Sequence, residues 1–150
     1  MVQVTSIDGV FLTPLKCISH PKGNVFHAMK KSDPGFNGFG EAYFSTINRG
    51  DIKGWKKHLR MTMNMVVPVG EIRFVLHDDR QDSPTKGSFF DVCLSQRNYM
   101  RMTVPPGVWM GFEGLGKDLN LLLNMADMEH DPEESQNRAL DSFAFEWSTK

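Results

Sequence analysis

The run "MTMNMVVPVGEIRFVLHD", residues 61–78, decides the fold. It holds two segments of strand length joined by Pro68, Val69 and Gly70, and each alternates with a period of two. On the first, Met61, Met63, Met65 and Val67 share one face, while Thr62, Asn64 and Val66 share the other. Methionine fills irregular core gaps, so the methionine face is expected inward. Thr62 and Asn64 then face something polar, which in a small barrel is either solvent or the lumen. On the second, Arg73, Val75 and His77 oppose Ile72, Phe74, Leu76 and Asp78, and an exposed strand face accounts for the two polar members.

The same pattern recurs outward from this run. "VFHAMK" (25–30), "EAYFSTI" (41–47), "SFFDVCL" (88–94), "YMRMTV" (99–104), "VWMGFEGL" (108–115) and "SFAFEW" (142–147) all read as short strands. Turn chemistry separates them, in "HPKGN", "DPGFNG", "NRGD", "DDRQDSPTKG", "PPG" and "GLGKD". Short strands at near-regular spacing predict an all-β sandwich or barrel, with residues 1–150 as a single domain. Only "DPEESQNRALDS" (131–142) offers a helix start, with Asp131 as N-cap and Pro132 at the first helical position, for one or two turns.

Composition narrows the function classes. With 150 residues, 40% hydrophobic and 23% charged, the chain can bury an ordinary core. A formal net charge of -1 gives no electrostatic case for nucleic acid or an anionic membrane, so no partner of either kind is expected. Cys17 and Cys93 fit no metal or redox spacing, and the start "MVQVTSIDGVFL" has no signal-peptide form; a reducing cytoplasm is the expectation. Apolar runs fall well short of the roughly 20 residues of a membrane span.

Charge gathers in "IKGWKKHLRMTMN" (52–64), where Lys53, Lys56, Lys57 and His58 surround Gly54 and Trp55. Lysines there serve either a small bound anion or a solvated strand edge protected against pairing. Gly54 allows a close backbone approach or a bulge. Trp55 and Trp109 are candidates to stack on a nucleobase or sugar ring, with buried packing the competing reading.

"EAYFS", "GDIKGWKKH", "VPVGEIRFVLHDDRQDSPTKG", "VPPGVWMGFEGL", "LLLNMADMEHDPEES" and "LDSFAFEW" occur in that order between about Ser19 and Trp147. This succession resembles the small cupins of the dTDP-4-dehydrorhamnose 3,5-epimerase family. The resemblance implies a jelly-roll double-sheet β-barrel, a homodimer, a cytoplasmic location and a nucleotide-diphosphate sugar as ligand, without a cofactor. It also implies a base, His58, oriented by a carboxylate near the end of the chain, Asp141, which would set the imidazole tautomer.

The chain departs from the family elsewhere. Met63 stands where the family carries a lysine, Phe74 where it carries an aspartate, Asn124 in place of its acid tyrosine, and Met110 in place of a further histidine. Pro106, Gly107, Gly111 and Phe112 keep the surrounding pattern. Lys53, in the place of a family arginine, would contact the diphosphate; Lys56 or Arg60 would polarise the sugar carbonyl; Thr62, Asn64, Trp55, Trp109 and Asn124 would complete the pocket. A metal site is not expected, because "KKH" and "WMGF" supply one histidine where a metal-binding cupin needs several donors, and His20, His27 and His130 sit in turn or edge contexts.

Three functions follow from the resemblance. The first is epimerisation at the 3- and/or 5-carbon of a nucleotide-linked 4-keto sugar, in deoxysugar or surface polysaccharide biosynthesis. The second is a 3,4-ketoisomerisation, which needs only one base and so tolerates the missing tyrosine. The third is sugar-nucleotide binding without catalysis.

Overall fold

The alternation of residues 61–78 is realised as two strands, but they do not pair with each other. They face each other from two different sheets, and Gly70 makes the corner between them. Its positive φ and the backbone of Leu119 and Asn120 against the place of a Cβ leave room only for glycine. The computed structural model describes residues 1–147.

In chain order the strands are β1 (Gln3–Val4), β2 (Phe11–Pro14), β3 (Cys17–Ile18), β4 (Val25–Phe26), β5 (Glu41–Thr46), β6 (Ile52–His58) and β7 (Met63–Val69). There follow β8 (Glu71–Asp78), β9 (Phe89–Ser95), β10 (Met100–Val104), β11 (Val108–Gly114), β12 (Leu121–Ala126) and β13 (Ser135–Asn137). One sheet has the order β1-β2-β10-β7-β12-β5, the other β13-β6-β11-β8-β9, and β3 pairs with β4 alone. The all-β double-sheet fold is the one that the sequence leads one to expect. Among the described residues no helix is long and apolar enough to cross a membrane.

The core lies between the sheets. Met61, Met63, Met65 and Val67 meet Ile72, Phe74 and Leu76 there, together with Leu12, Met102 and Leu122. The methionine face is therefore inward, as its chemistry suggests.

Each outer face has its own cover. On the six-stranded sheet, Val66, Tyr99 and Met125 lie under Leu15, Phe26, Ala28 and Met29. Arg101, fully buried, ties that cover down by donating to the carbonyls of Ala28 (2.8 Å) and Pro34 (2.7 Å). On the five-stranded sheet, Trp55, Val75 and Trp109 lie under Phe143, Phe145 and Trp147.

Local expectations fail in instructive places. Residues 142–147 keep their period of two, yet form no strand: Phe143, Phe145 and Trp147 pack as a strap across the sheet instead of along its edge. Of residues 25–30, only Val25–Phe26 is strand. Asp131 does cap a helix start, accepting from Glu133 N at 3.0 Å, but the helix is one 3-10 turn, Pro132–Glu134. The chain then pairs at once as β13, because Ser135, Gln136 and Asn137 find the open edge of β6.

Candidate active site

The charged stretch 52–58 is β6, an inner strand between β13 and β11. Simple alternation would put Lys53 and Lys56 on opposite faces. Against β11, Lys56 pairs with Met110 while Lys53 pairs with Phe112, so β6 carries one extra residue, a bulge. Lys53, Lys56 and His58 consequently all border one cavity, while Trp55 and Lys57 face the other side of the sheet. Two glycines permit this. A Cβ on Gly54 would lie 2.8 Å from the Gly111 Cα, and one on Gly111 would lie 2.9 Å from the Trp147 ring.

Those side chains border a cavity of about 300 Å³ between the sheets. One wall presents Lys53, Gly54, Lys56 and His58 from β6, with Met110 and Phe112 from β11 and Asn137 from β13. The opposite wall presents Tyr43 and Ser45 from β5, Met63 from β7, and Leu122 and Asn124 from β12. Lys53 Nζ donates to the Thr46 carbonyl at 2.7 Å and lies 5.9 Å from the Phe112 ring centre.

The most constrained group is His58. Its Nδ1 lies 2.8 Å from Oε1 of Glu134, a carboxylate that is only 1% exposed. The other carboxylate oxygen accepts from Arg60 N at 2.9 Å and Met61 N at 2.8 Å. Burial raises the Glu134 pKa, but the hydrogen bonds from Arg60 N, His58 and Met61 N outweigh it, so its carboxyl sits below the usual range and stays ionised. An ionised carboxylate only accepts, so Nδ1 carries a proton, and in the neutral ring Nε2 is the nitrogen left to accept one. The arrangement can take a proton from a bound molecule and stabilise the resulting imidazolium.

Of the residues singled out in the sequence, the cavity brings together His58, Lys53, Lys56 and Asn124. Asp141 does not reach His58: it is exposed in the 3-10 turn Leu140–Ser142, and Glu134 holds the imidazole instead. Trp55 and Trp109 are fully buried on the outer face, Trp55 Nε1 bonding the Leu140 carbonyl and Trp109 Nε1 bonding Asp79, so neither can stack on a ligand in the cavity. Asn64 is buried on the far side of its sheet, bonded to the Gly35 carbonyl, Arg101 and Thr103, since the N-terminal cover takes the place of solvent there. Thr62 lies in the turn before β7, its N–H on Asp127. Arg60 points outward to Asp131 at 3.1 Å.

Sequence reasoning missed Tyr43, Ser45, Asn137 and Glu134. Alternation in "EAYFS" puts Tyr43 and Ser45 on one face, which is a usable signal. Glu134 offered none, because an acidic residue in a first helical turn is ordinary. Among the described residues no group of three or more His, Cys, Asp or Glu side chains could hold a metal ion.

Comparison with known proteins bears on this geometry. A family model described as dTDP-4-dehydrorhamnose 3,5-epimerase matches residues 4–150. A crystal structure of a dTDP sugar isomerase from Desulfovibrio desulfuricans G20 superposes with a TM-score of 0.92 at 36% identity, covering 98% of this chain and 94% of that one. A probable low-salt glycan biosynthesis epimerase, Agl13, from Haloferax volcanii is 31% identical over 94 residues, 62% of this chain and 60% of the relative's length. The spore coat polysaccharide biosynthesis protein SpsL of Bacillus subtilis is 26% identical over 148 residues, 96% of this chain and 98% of that protein.

Proposed function

The chain belongs to the dTDP-4-dehydrorhamnose 3,5-epimerase family, and we propose that it epimerises a dTDP-linked 4-keto sugar at the 3- and/or 5-carbon, without a metal. The observation that carries this reading is His58, held by Glu134 and open to a cavity between the sheets. Carbons beside a keto group lose a proton to a well-placed base, and the charge that develops on the oxygen needs a donor. In this reading Nε2 of His58 takes the proton, Glu134 supports the imidazolium, and Lys56 and the Asn124 amide face the enolate oxygen. Lys53 faces the diphosphate. One imidazole beside two ammonium groups and two thioethers is a poor donor set for a divalent metal, which favours stabilisation by these cations.

The glycan and spore-coat roles named for two relatives support a place in polysaccharide biosynthesis. The free thiols of Cys17 and Cys93 suit the reducing cytoplasm. A homodimer is part of the same reading, supported by the unpaired edges at β1 and β5 and by exposed Val4 and Phe44 beside them.

The test is solvent deuterium wash-in at the ring carbons of a dTDP-linked 4-keto-6-deoxyhexose in heavy water. His58→Asn should slow wash-in by about 10²–10⁴-fold, the worth of a positioned general base. Its affinity for dTDP should stay within about twofold, since phosphate anchoring rests on other side chains. Equal wash-in by wild type and His58→Asn would remove the reading.

A further inference from the structure

Inversion at a carbon needs a base on one face of the sugar and a proton donor on the other. His58 stands on the β6 wall, so the donor must come from the wall built by β5, β7 and β12. That wall offers a methionine, a leucine, a serine, an amide and a phenol, namely Met63, Leu122, Ser45, Asn124 and Tyr43. A thioether and an alkyl group have no transferable proton, and a serine hydroxyl and an amide hold theirs too tightly near neutral pH. Tyr43 remains. It lies directly across from Asn124 in the β5–β12 register, so it borders the same part of the cavity as the residue that replaces the family tyrosine.

We propose that Tyr43 is the proton donor on the face opposite His58. This inference rests on the epimerase reading above. The C–H bond on the His58 side breaks as an N–H bond forms at Nε2, leaving the electron pair in the enolate. The enolate carbon then takes the Tyr43 phenolic proton from the other side, giving the inverted centre and a phenolate. Water returns a proton to Tyr43 and removes one from the imidazolium, so no other reactant is consumed. Tyr43 is 42% exposed, which gives the phenolate that path to solvent. Burial, and then the nearby Glu41 carboxylate, push its pKa up, so the phenol is protonated and ready at neutral pH. The acid has thus moved to a neighbouring strand on the same wall.

Tyr43→Phe removes one hydroxyl and keeps the ring, so a role as a stacking platform would survive it. With the dTDP-linked 4-keto-6-deoxyhexose in heavy water, Tyr43→Phe should still wash deuterium into the ring carbon, within about threefold of wild type, because removal and return on the His58 face continue. Formation of the inverted product should fall by about 10²-fold or more. Inversion at the wild-type rate, or wash-in and inversion lost in equal measure with dTDP affinity unchanged, would overturn the assignment. His58→Asn run alongside separates the two layers: wash-in that survives there sinks the base and the epimerase reading, whatever Tyr43 does.

Discussion

Asp78, the last residue of β8, and Glu134, the last residue of the 3-10 turn before β13, are both carboxylates sealed from water, yet they belong to different kinds of place. Asp78 accepts from Arg80 Nε (2.9 Å), Ser83 Oγ (2.6 Å) and Thr85 Oγ1 (2.7 Å), all within the loop that follows β8. Burial raises its pKa, but the bonds from Arg80, Ser83, Thr85 and the Arg80 N–H dominate and hold it well below the carboxylate range. Arg80 passes the constraint on to the N-terminal segment through the Asp8 carbonyl at 2.6 Å. Glu134 has a comparable set of partners, but one of them, His58, has its other side in a cavity. Burial and a depressed pKa are thus common to a structural knot and a candidate site. What separates them is whether a titratable partner borders space for a ligand.

Substituting Glu134 should give the largest effect on chemistry. In Glu134→Gln the amide oxygen can still accept from Arg60 N and Met61 N, which turns its NH₂ group toward Nδ1 of His58. The imidazole then has to accept at Nδ1 and carry its proton on Nε2, the wrong tautomer for a base. Wash-in should drop by about 10²–10⁴-fold, as far as in His58→Asn, because a neutral amide behind the imidazole leaves it unable to act as the base. Melting should shift only modestly, since most of the hydrogen bonds survive. Full activity in Glu134→Gln would put Glu134 in the same class as Asp78 and dissolve the distinction.

Asp78→Ala should do the opposite. It strands Arg80, Ser83 and Thr85 without their acceptor and should cost roughly 3–5 kcal/mol of stability, the range for breaking a buried pair from one side. Wash-in per folded molecule should not change, because the residue does not border the cavity. The pH dependence has a definite sign. A depressed carboxylate pKa contributes stability that is complete above the unfolded value and is lost as pH falls through the folded one. The gap between wild type and Asp78→Ala in urea unfolding should therefore be full at neutral pH and narrow in acid below the ordinary aspartate value of 3.8. A gap independent of pH would mean that packing, not charge, ties the loop.

The sequence carried the fold well because the signals that define it are local. Period-two runs such as 71–78 and glycine corners such as Gly70 act within a few residues. The site residues were legible through the family resemblance and not through alternation. His58 and Lys53 border the cavity by way of a bulge at Gly54 that alternation alone does not disclose. Three of the misplaced residues, Trp55, Trp109 and Asn64, share one cause. Both sheets are covered on their outer faces by segments distant in sequence, so the faces holding Trp55, Trp109 and Asn64 look solvent- or lumen-directed until the covers are seen. Glu134 rather than Asp141 meets His58 because β13 pairs with β6, a contact between residues 76 positions apart.

Arg60 provides the smallest expected effect and a clean test of that lesson. Its sequence neighbours make it a tempting partner for the sugar carbonyl. In the structure its side chain is 63% exposed and pairs with Asp131, itself 44% exposed, outside the cavity. Its contribution to the site is the backbone N–H on Glu134, which any residue but proline supplies. Arg60→Ala should thus cost about 0.2–1 kcal/mol in stability, the ordinary worth of an exposed ion pair, and less at high salt. Wash-in and dTDP affinity should stay within about twofold of wild type. A loss of tenfold or more in either, with melting unchanged, would mean that the guanidinium turns inward when the sugar nucleotide binds, and that exposure in the free protein does not separate structural charge from ligand-facing charge.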